Sequence, residues 1–234
     1  MKILGIETAT GFCGVALVDE TRLIAEFRVS LELKQTEGLL PLIDGLLKAS
    51  QTTLSDLDAI AVSIGPGSFT GLRAGVATAK GLAIGRDLPL IAISTLEAMA
   101  FPFCNTQATI IPIIPSRKGE VYWASFSTLG SSSDEAPNRL TADACDPLET
   151  LLDKIGHERS ALFTGDGARI YRDQIIKDFK GEAHFPTMGL QSPLASCVAE
   201  MGRLQWISGK GLQSAEEIVP VYLHTIQIKN DWTR

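Results

Sequence analysis

Short apolar runs open the chain, and polar turn residues separate them. Each run is long enough for one strand and too short for a helix. The runs cover residues 3–7, 13–18 and 23–29. This pattern predicts a three-stranded antiparallel meander.

The period of the apolar positions changes after Thr36. The next apolar residues recur at helical spacing and predict one wide apolar face: Leu39, Leu40, Leu42, Ile43, Leu46 and Leu47. Continuous apolar runs at 58–64 and 88–93 are typical of strands buried on both faces. A glycine-rich turn and a second helix, which ends near Gly85, lie between these two strands.

The second half of the chain echoes the first. An apolar run at 109–114 breaks at 115–119 and returns at 120–126. After a polar loop at 129–137, the pattern predicts a helix at 148–155, a strand at 161–164, and helices near 168–177 and 193–208. We therefore predict an α/β protein with two subdomains, 1–106 and 107–234, and expect that the final segment can pack back on the first.

Composition narrows the functional classes. Apolar residues make up 45% of the chain and charged residues 21%, which are the proportions of a globular protein. The formal net charge of −6 disfavours unaided nucleic-acid binding. The chain has no run of about 18 apolar residues and no signal-like start, so we expect a cytoplasmic protein without a membrane span.

Several familiar sites are missing from the sequence. The single Gly-Lys step, Gly209-Lys210, continues with glycine instead of serine or threonine, so no P-loop is present. Dinucleotide-binding spacing fails at 65–70 and at 165–170. His157, His184 and His224 form no helical pair, and we predict no metal site.

Two turns are candidates for binding an anion or a nucleotide. Each follows a strand and offers hydroxyls or unobstructed backbone amides, and the first also carries a carboxylate. The candidate residues are Glu7, Thr8, Thr10, Gly65, Gly67 and Ser68. The alternative interpretation of both turns is purely structural. The first is then a hairpin with good turn formers, and the second is a well-capped turn from a strand into a helix.

The helix that follows residue 71 has two faces almost free of charge. One carries Leu72, Val76, Ala79 and Ala83, and the other carries small residues: Ala74, Thr78, Gly81 and Gly85. Each interior glycine costs about 0.5 to 1 kcal/mol relative to alanine, so the small face needs a compensating contact. That contact is either the leucine-rich helix at 39–47 or another protein chain.

Several sequence blocks together resemble the bacterial TsaB (YeaZ) family. The most specific is Gly-Pro-Gly-Ser-Phe-Thr-Gly-Leu-Arg at 65–73, and the others lie at 1–8, 37–43, 117–123 and 220–223. The resemblance spans the whole chain. It implies a duplicated actin-like, ribonuclease-H-like (ASKHA) fold.

The resemblance also implies a role and an interface. It implies a non-catalytic subunit that pairs with TsaD, together with the ATPase TsaE, to install threonylcarbamoyl on N6 of adenosine 37 in tRNAs reading codons that begin with A. The HxxxH metal pair of TsaD is absent here. The implied docking residues are Leu39, Leu42, Ile43, Leu46, Ala74, Thr78, Gly81 and Gly85. The chain would have no intrinsic cofactor, would meet ATP or ADP at the interface of the complex, and would contact tRNA only indirectly.

Other functions stay open at this point. Gln35, Pro115 and His224 depart from residues common in the family, and Glu7 replaces the aspartate of nucleotide-binding superfamily members. One alternative is a stand-alone ATPase or sugar kinase of the same fold, which the opening hairpin favours. A metalloprotease is a further alternative, and the docking helices can also pair two copies in a homodimer.

Overall fold

The computed structural model describes residues 1–30, 38–117, 119–128, 136–209 and 211–223. The elements of the first half are β1 (Lys2–Glu7), β2 (Phe12–Asp19), β3 (Leu23–Ser30), α1 (Leu39–Ala49), β4 (Ala59–Gly65), α2 (Phe69–Ile84), β5 (Leu90–Ser94) and α3 (Thr95–Ala100). Those that follow are β6 (Thr109–Pro115), β7 (Glu120–Trp123), β8 (Phe126–Ser127), β9 (Asn138–Arg139), β10 (Ala144–Pro147), α4 (Leu148–Lys154), β11 (Ser160–Thr164), α5 (Asp166–Ile170), α6 (Arg172–Asp178), β12 (Glu182–His184), α7 (Ala195–Ile207) and β13 (Leu212–Gln213).

The first sheet has the order β13-β5-β4-β1-β2-β3. Strands β1, β2 and β3 form the predicted antiparallel meander, and β4 and β5 continue the sheet in parallel with β1. Successive side chains of each strand point to opposite faces of the sheet, and helices cover both faces. Leu4 and Ile6 of β1 face the core that includes α1 and α2, whereas Ile3 faces the core that includes α7.

Helix α7 lies on the first sheet although it follows the second sheet along the chain. Its approach is close: an alanine Cβ at Gly5 would overlap the Ala195 carbonyl and Ala199, and one at Gly202 would contact Ala61 at 2.5 Å. Strand β13 then pairs with β5 and forms the edge of the first sheet. The first half therefore takes one covering helix and one strand from the C-terminal part of the chain, and the subdomain boundary at 106/107 stays a prediction.

The second sheet repeats the plan of the first. Its path is β10-β7-β6-β11-β12; β6 and β7 form an antiparallel hairpin, and β11 runs parallel to β6. The predicted strand at 120–126 is interrupted after Trp123, where the chain leaves β7 and continues as β8. The predicted helix near 168–177 is divided into α5 and α6. Most of the predicted loop at 129–137 lies outside the described residues.

The two α/β halves with repeated hairpins confirm the predicted fold class. Among the described helices, none is both long enough and apolar enough to cross a membrane.

Candidate functional site

A cleft of about 630 Å³ lies where turns from both halves of the chain meet. The first half contributes the β1–β2 turn and the turn that leads from β4 into α2. The second half contributes the β6–β7 turn and helix α5, and residues 221–223 complete the lining. Equivalent turns of the repeated hairpins thus face one cavity.

Glu7 lies beneath this cleft and is bonded within the chain. Its carboxylate accepts the Ala9 backbone N–H at 2.6 Å and a short hydrogen bond from the Ser63 hydroxyl. Burial raises the pKa of Glu7 to about 7, against the lowering effect of these two hydrogen bonds and of Arg28. Its oxygens join the end of β1 to β4, so the structure assigns Glu7 a linking role in place of the predicted ligand contact.

Thr8 and Gly65 also lie behind the cleft wall. The Thr8 hydroxyl donates to the Gly71 carbonyl at 2.8 Å and thereby fixes the first turn of α2 against β1. Gly65 has φ +120, a conformation that favours glycine, and an added Cβ would lie 2.7 Å from the Val221 carbonyl. Both residues shape the cleft, but neither lines it.

The remaining three candidates, Thr10, Gly67 and Ser68, do line the cleft. The Ser68 side chain accepts the Gly71 N–H at 3.2 Å and caps α2, so the capped-turn reading is correct for this hydroxyl. Thr10 differs: its hydroxyl is buried and has no hydrogen-bond partner in the described part of the chain. An unsatisfied buried hydroxyl is costly, which makes Thr10 the candidate that most needs a ligand.

Sequence reasoning missed the charged residues that the second half contributes. Arg117 from the β6–β7 turn and Asp166 and Arg169 from α5 line the cleft. Arg169 Nε lies 3.8 Å from Asp166 Oδ1. The segment Gly165-Asp166-Gly167 could have indicated them. In the sequence it only departs from the dinucleotide-binding motif, whereas the fold places Asp166 opposite Gly11.

The predicted docking face on α1 needs correction. Leu39, Ile43 and Leu46 are buried in the core of the chain itself, so they cannot meet a partner directly in this structure. Leu42 is half-buried, and Leu40 is 59% exposed. The helical spacing identified the apolar face correctly, but that face packs on the first sheet.

On α2 the buried face is as predicted, and the exposed face is shifted. Leu72, Val76, Ala79 and Ala83 are buried. Ala74 and Thr78 are half-buried, whereas Gly81 and Gly85 are exposed. The exposed strip, defined here as Ala77, Gly81, Ile84 and Gly85, is small or apolar throughout. An added Cβ at Gly81 would meet no atom of the described ranges within 4 Å.

Comparison with known proteins gives the same family from sequence and structure. The family model described as TsaD, tRNA N6-adenosine threonylcarbamoyltransferase, matches residues 33–217. The chain is 31% identical to the tRNA threonylcarbamoyladenosine biosynthesis protein TsaB of Bacillus subtilis over 99% of this chain and 98% of that protein. It is 42% identical to TsaB of Escherichia coli over 54% of this chain and 55% of that protein, so this match spans about half of each.

Solved structures support the family and the wider fold. YeaZ from Pseudomonas aeruginosa matches with a TM-score of 0.78 and 25% identity, over 95% of this chain and 99% of that one. The ROK hexokinase from Thermus thermophilus shares the fold, with a TM-score of 0.53 and 11% identity over 89% of this chain and 100% of that one. The fold is therefore actin-like, and this chain belongs to the TsaB family of tRNA threonylcarbamoyladenosine biosynthesis proteins.

Proposed function

We propose that this chain is the non-catalytic subunit that pairs with TsaD and acts with TsaE. The reaction served is threonylcarbamoylation of N6 of adenosine 37 in tRNAs that read codons beginning with A. Family membership supports the pathway, and the exposed strip on α2 supports the pairing. Because the formal net charge is −6, we assign the grip on tRNA phosphates to the partners.

The observation that carries the proposal is the contrast between two interior glycines of α2. Gly75 has a reason within the chain, because an added Cβ would overlap Thr8 Oγ1. Gly81 has no such reason among the described residues, because an added Cβ would meet none of them within 4 Å. Glycine at such a position costs about 0.5 to 1 kcal/mol relative to alanine. Close approach of a helix from another protein would compensate that cost.

The geometry of Glu7 favours a subunit over a stand-alone ATPase or sugar kinase. A catalytic carboxylate must reach the substrate or a metal, whereas Glu7 is 1% exposed and does not line the cleft, and its oxygens accept from Ala9 and Ser63. We therefore assign ATP or ADP to the interface with TsaD and no intrinsic cofactor to this chain. The alternative enzyme would hydrolyse ATP without TsaD, which a turnover assay on the purified chain tests directly.

A second copy of the chain is the alternative occupant of the exposed strip. A face that accepts a helix of a paralogue is able to accept the same helix from its own copy, in a twofold arrangement. Sedimentation of the chain with and without TsaD distinguishes the homodimer from the heterodimer. We expect TsaD to replace the second copy of the chain in any homodimer, because both occupy the same strip.

Gly81→Leu should weaken the pairing with TsaD by at least about tenfold, because a leucine side chain would fill the space that the partner helix occupies. The fold should be unchanged, because the position is open in the isolated chain. Calorimetric titration with TsaD measures the affinity, and a tRNA modification assay with and without the chain measures the consequence.

Gly189→Leu is the matched control, since Gly189 is also exposed and an added Cβ there would meet none of the described residues within 4 Å, but it lies in a short 3₁₀ turn between β12 and α7. It should pair as the unmodified chain does. Equal affinities for the unmodified chain and the Gly81→Leu variant would reject the strip as the docking face. Full modification activity without this chain would reject the proposed function itself.

A further inference from the structure

The mouth of the cleft is an exposed apolar surface to which three separate segments of the chain contribute. We define the mouth by four side chains that line the cleft and remain partly in solvent: Phe69 (43% exposed), Ile170 (54%), Val221 (37%) and Tyr222 (43%). The ring centres of Phe69 and Tyr222 lie 5.0 Å apart, so the two aromatic side chains form one surface. A contiguous apolar patch of this kind marks a place where another molecule binds.

Three arginines lie at this mouth. Arg117 and Arg169 line the cleft, and the guanidinium carbon of Arg73 lies 4.6 Å from the centre of the Phe69 ring. The described carboxylate that lines the cleft is Asp166, and Arg169 Nε lies 3.8 Å from it. The mouth is therefore cationic, although the whole chain has a net charge of −6. Aromatic residues and arginine are enriched in protein interfaces, and an excess of arginine favours an acidic partner.

The chain's own backbone fills the floor of the cleft where a glycine-rich turn would hold a phosphate. The β1–β2 turn lies directly on the turn from β4 into α2, because the Ser68 N–H donates to the Ala9 carbonyl at 2.7 Å. A Cβ added at Gly67 would overlap the same carbonyl oxygen. The Ser68 amide is thus already bonded within the chain, and the close approach of Ala9 leaves no phosphate cradle at this turn.

A magnesium-bound nucleotide, which the actin-like fold implies, does not fit these residues either. Glu7 is bonded to Ala9 and Ser63, and Asp166 is paired with Arg169. The described ranges contain no group of three or more His, Cys, Asp or Glu that could hold a metal ion. Magnesium needs oxygen ligands in near-ideal octahedral geometry, and these carboxylates have other partners. This agrees with the assignment of ATP or ADP to the interface with TsaD.

Thr10 supplies a polar group in the wall of the same cleft. Its side chain is 8% exposed, and its hydroxyl has no hydrogen-bond partner in the described part of the chain. A hydroxyl can donate to a carboxylate or a peptide carbonyl and can accept from a peptide N–H. A bound polypeptide offers all three groups, so it can satisfy the Thr10 hydroxyl while its apolar side chains cover the mouth.

We propose that the mouth of the cleft docks an extended acidic segment of a partner protein. An apolar side chain of this segment packs on the Phe69 and Tyr222 rings, and a neighbouring carboxylate pairs with Arg117. Charge complementarity favours this occupant over nucleic acid, which the net charge of −6 repels, and over a basic segment, which the arginines repel. The mouth is separate from the docking strip, because Gly81 lies twelve residues, about 18 Å, along α2 from Phe69. The proposed contact therefore does not depend on pairing with TsaD.

Selection of a displayed library of random peptides on the full chain tests this contact. We expect the selected peptides to carry aspartate or glutamate beside phenylalanine, tryptophan or leucine. Changing that acid to its amide should weaken a selected peptide at least about tenfold in fluorescence anisotropy. Selection of basic peptides, or of none, would overturn the proposal. Displacement of the peptide by AMP or by a single-stranded RNA would assign the cleft to nucleotides and overturn it as well.

Three variants locate the selected peptide on the mouth. Arg117→Gln and Phe69→Ala should each weaken it by about tenfold or more. Thr10→Val should also weaken it, yet raise the urea concentration at half-unfolding, because the variant lacks an unsatisfied buried hydroxyl. Arg22→Gln is the control, because Arg22 lies in the β2–β3 turn and does not line the cleft.

The Arg117→Gln variant decides between this proposal and the proposed function. Unchanged peptide affinity in that variant would overturn the mouth as the docking site. Its pairing with TsaD should be normal, because Arg117 lies in the β6–β7 turn and not on the strip. Normal pairing of a preparation that binds no acidic peptide would therefore reject the peptide contact and leave the proposed function intact.

Discussion

Replacing Gly75 by alanine is expected to destabilise the protein by about 2 to 3 kcal/mol, although alanine is the better helix former. The added Cβ would overlap Thr8 Oγ1, and the Thr8 hydroxyl would have to turn away from the Gly71 carbonyl that it reaches at 2.8 Å. Overpacking and a lost buried hydrogen bond therefore add together. Urea unfolding at constant pH measures the change.

Gly81→Ala is the matched control on the same helix. Its Cβ would meet no atom within 4 Å in the part of the chain that the structure describes, so the substitution should stabilise the chain by about 0.5 to 1 kcal/mol. In the Thr8→Ala variant the overlapping oxygen is absent. Gly75→Ala should therefore lower the free energy of unfolding much less in that variant than in the unmodified chain. Additive effects of Thr8→Ala and Gly75→Ala would contradict the proposed contact.

Stability should fall as the pH rises from about 4.5 to 7, because of Glu7. Burial raises its pKa from 4.5 to about 7, so the unfolded chain releases this proton first. The contribution of protonated Glu7 to the free energy of unfolding is complete below about pH 4.5 and is lost as the pH rises through 7. The shift in pKa corresponds to about 3 kcal/mol of stability. Urea unfolding at pH 5, 6, 7 and 8 measures the slope.

Glu7→Gln isolates this effect from other titrating groups. The amide can accept from Ala9 N–H and donate to the Ser63 hydroxyl, so it keeps both partners of the carboxyl group. Glu97 also has a raised pKa from burial and is unchanged in the variant, so its contribution cancels in the comparison. Between pH 5 and 8 the free energy of unfolding of the unmodified chain should fall relative to that of the Glu7→Gln variant by about 3 kcal/mol, because glutamine does not titrate. Parallel pH profiles would contradict a buried, shifted Glu7.

The cleft and the exposed strip are connected by one helix, α2. Thr8 fixes the first turn of α2 at the cleft, and the exposed strip continues to the other end of the same helix. The Gly75→Ala variant therefore disturbs the support of both sites, whereas Gly81→Leu disturbs the strip alone. Comparing the free energy of unfolding and the TsaD affinity of these two variants separates damage to the helix from damage to its surface.

The sequence alone was sufficient for the elements that local periodicity defines. Runs of alternating or continuous apolar residues predicted β1 to β5, and helical spacing predicted α1 and the buried face of α2. The block at 65–73 also pointed to the family, through its resemblance to TsaB sequences and not through its spacing. These signals are local, so they survive without knowledge of distant contacts.

The short elements of the second half show where local patterns fail. Strands β8, β9 and β13 have two residues each, too few for a period to be recognised. Their existence depends on pairing with strands that are remote in sequence: β13, for example, pairs with β5.

Gln35 and His224 lie outside the described residues.

Tertiary structure decided which predicted residues are accessible. The sequence determined that Leu39, Ile43 and Leu46 share a face, but only the packing of α1 on the first sheet showed that this face is internal. Likewise, the sequence placed Glu7, Thr8 and Thr10 in one turn. The fold bonds Glu7 and Thr8 within the chain, whereas the Thr10 hydroxyl has no hydrogen-bond partner among the residues described. The cleft itself joins turns more than one hundred residues apart. A local pattern specifies spacing along one element, whereas burial and convergence depend on contacts between elements, and those arise only when the chain folds.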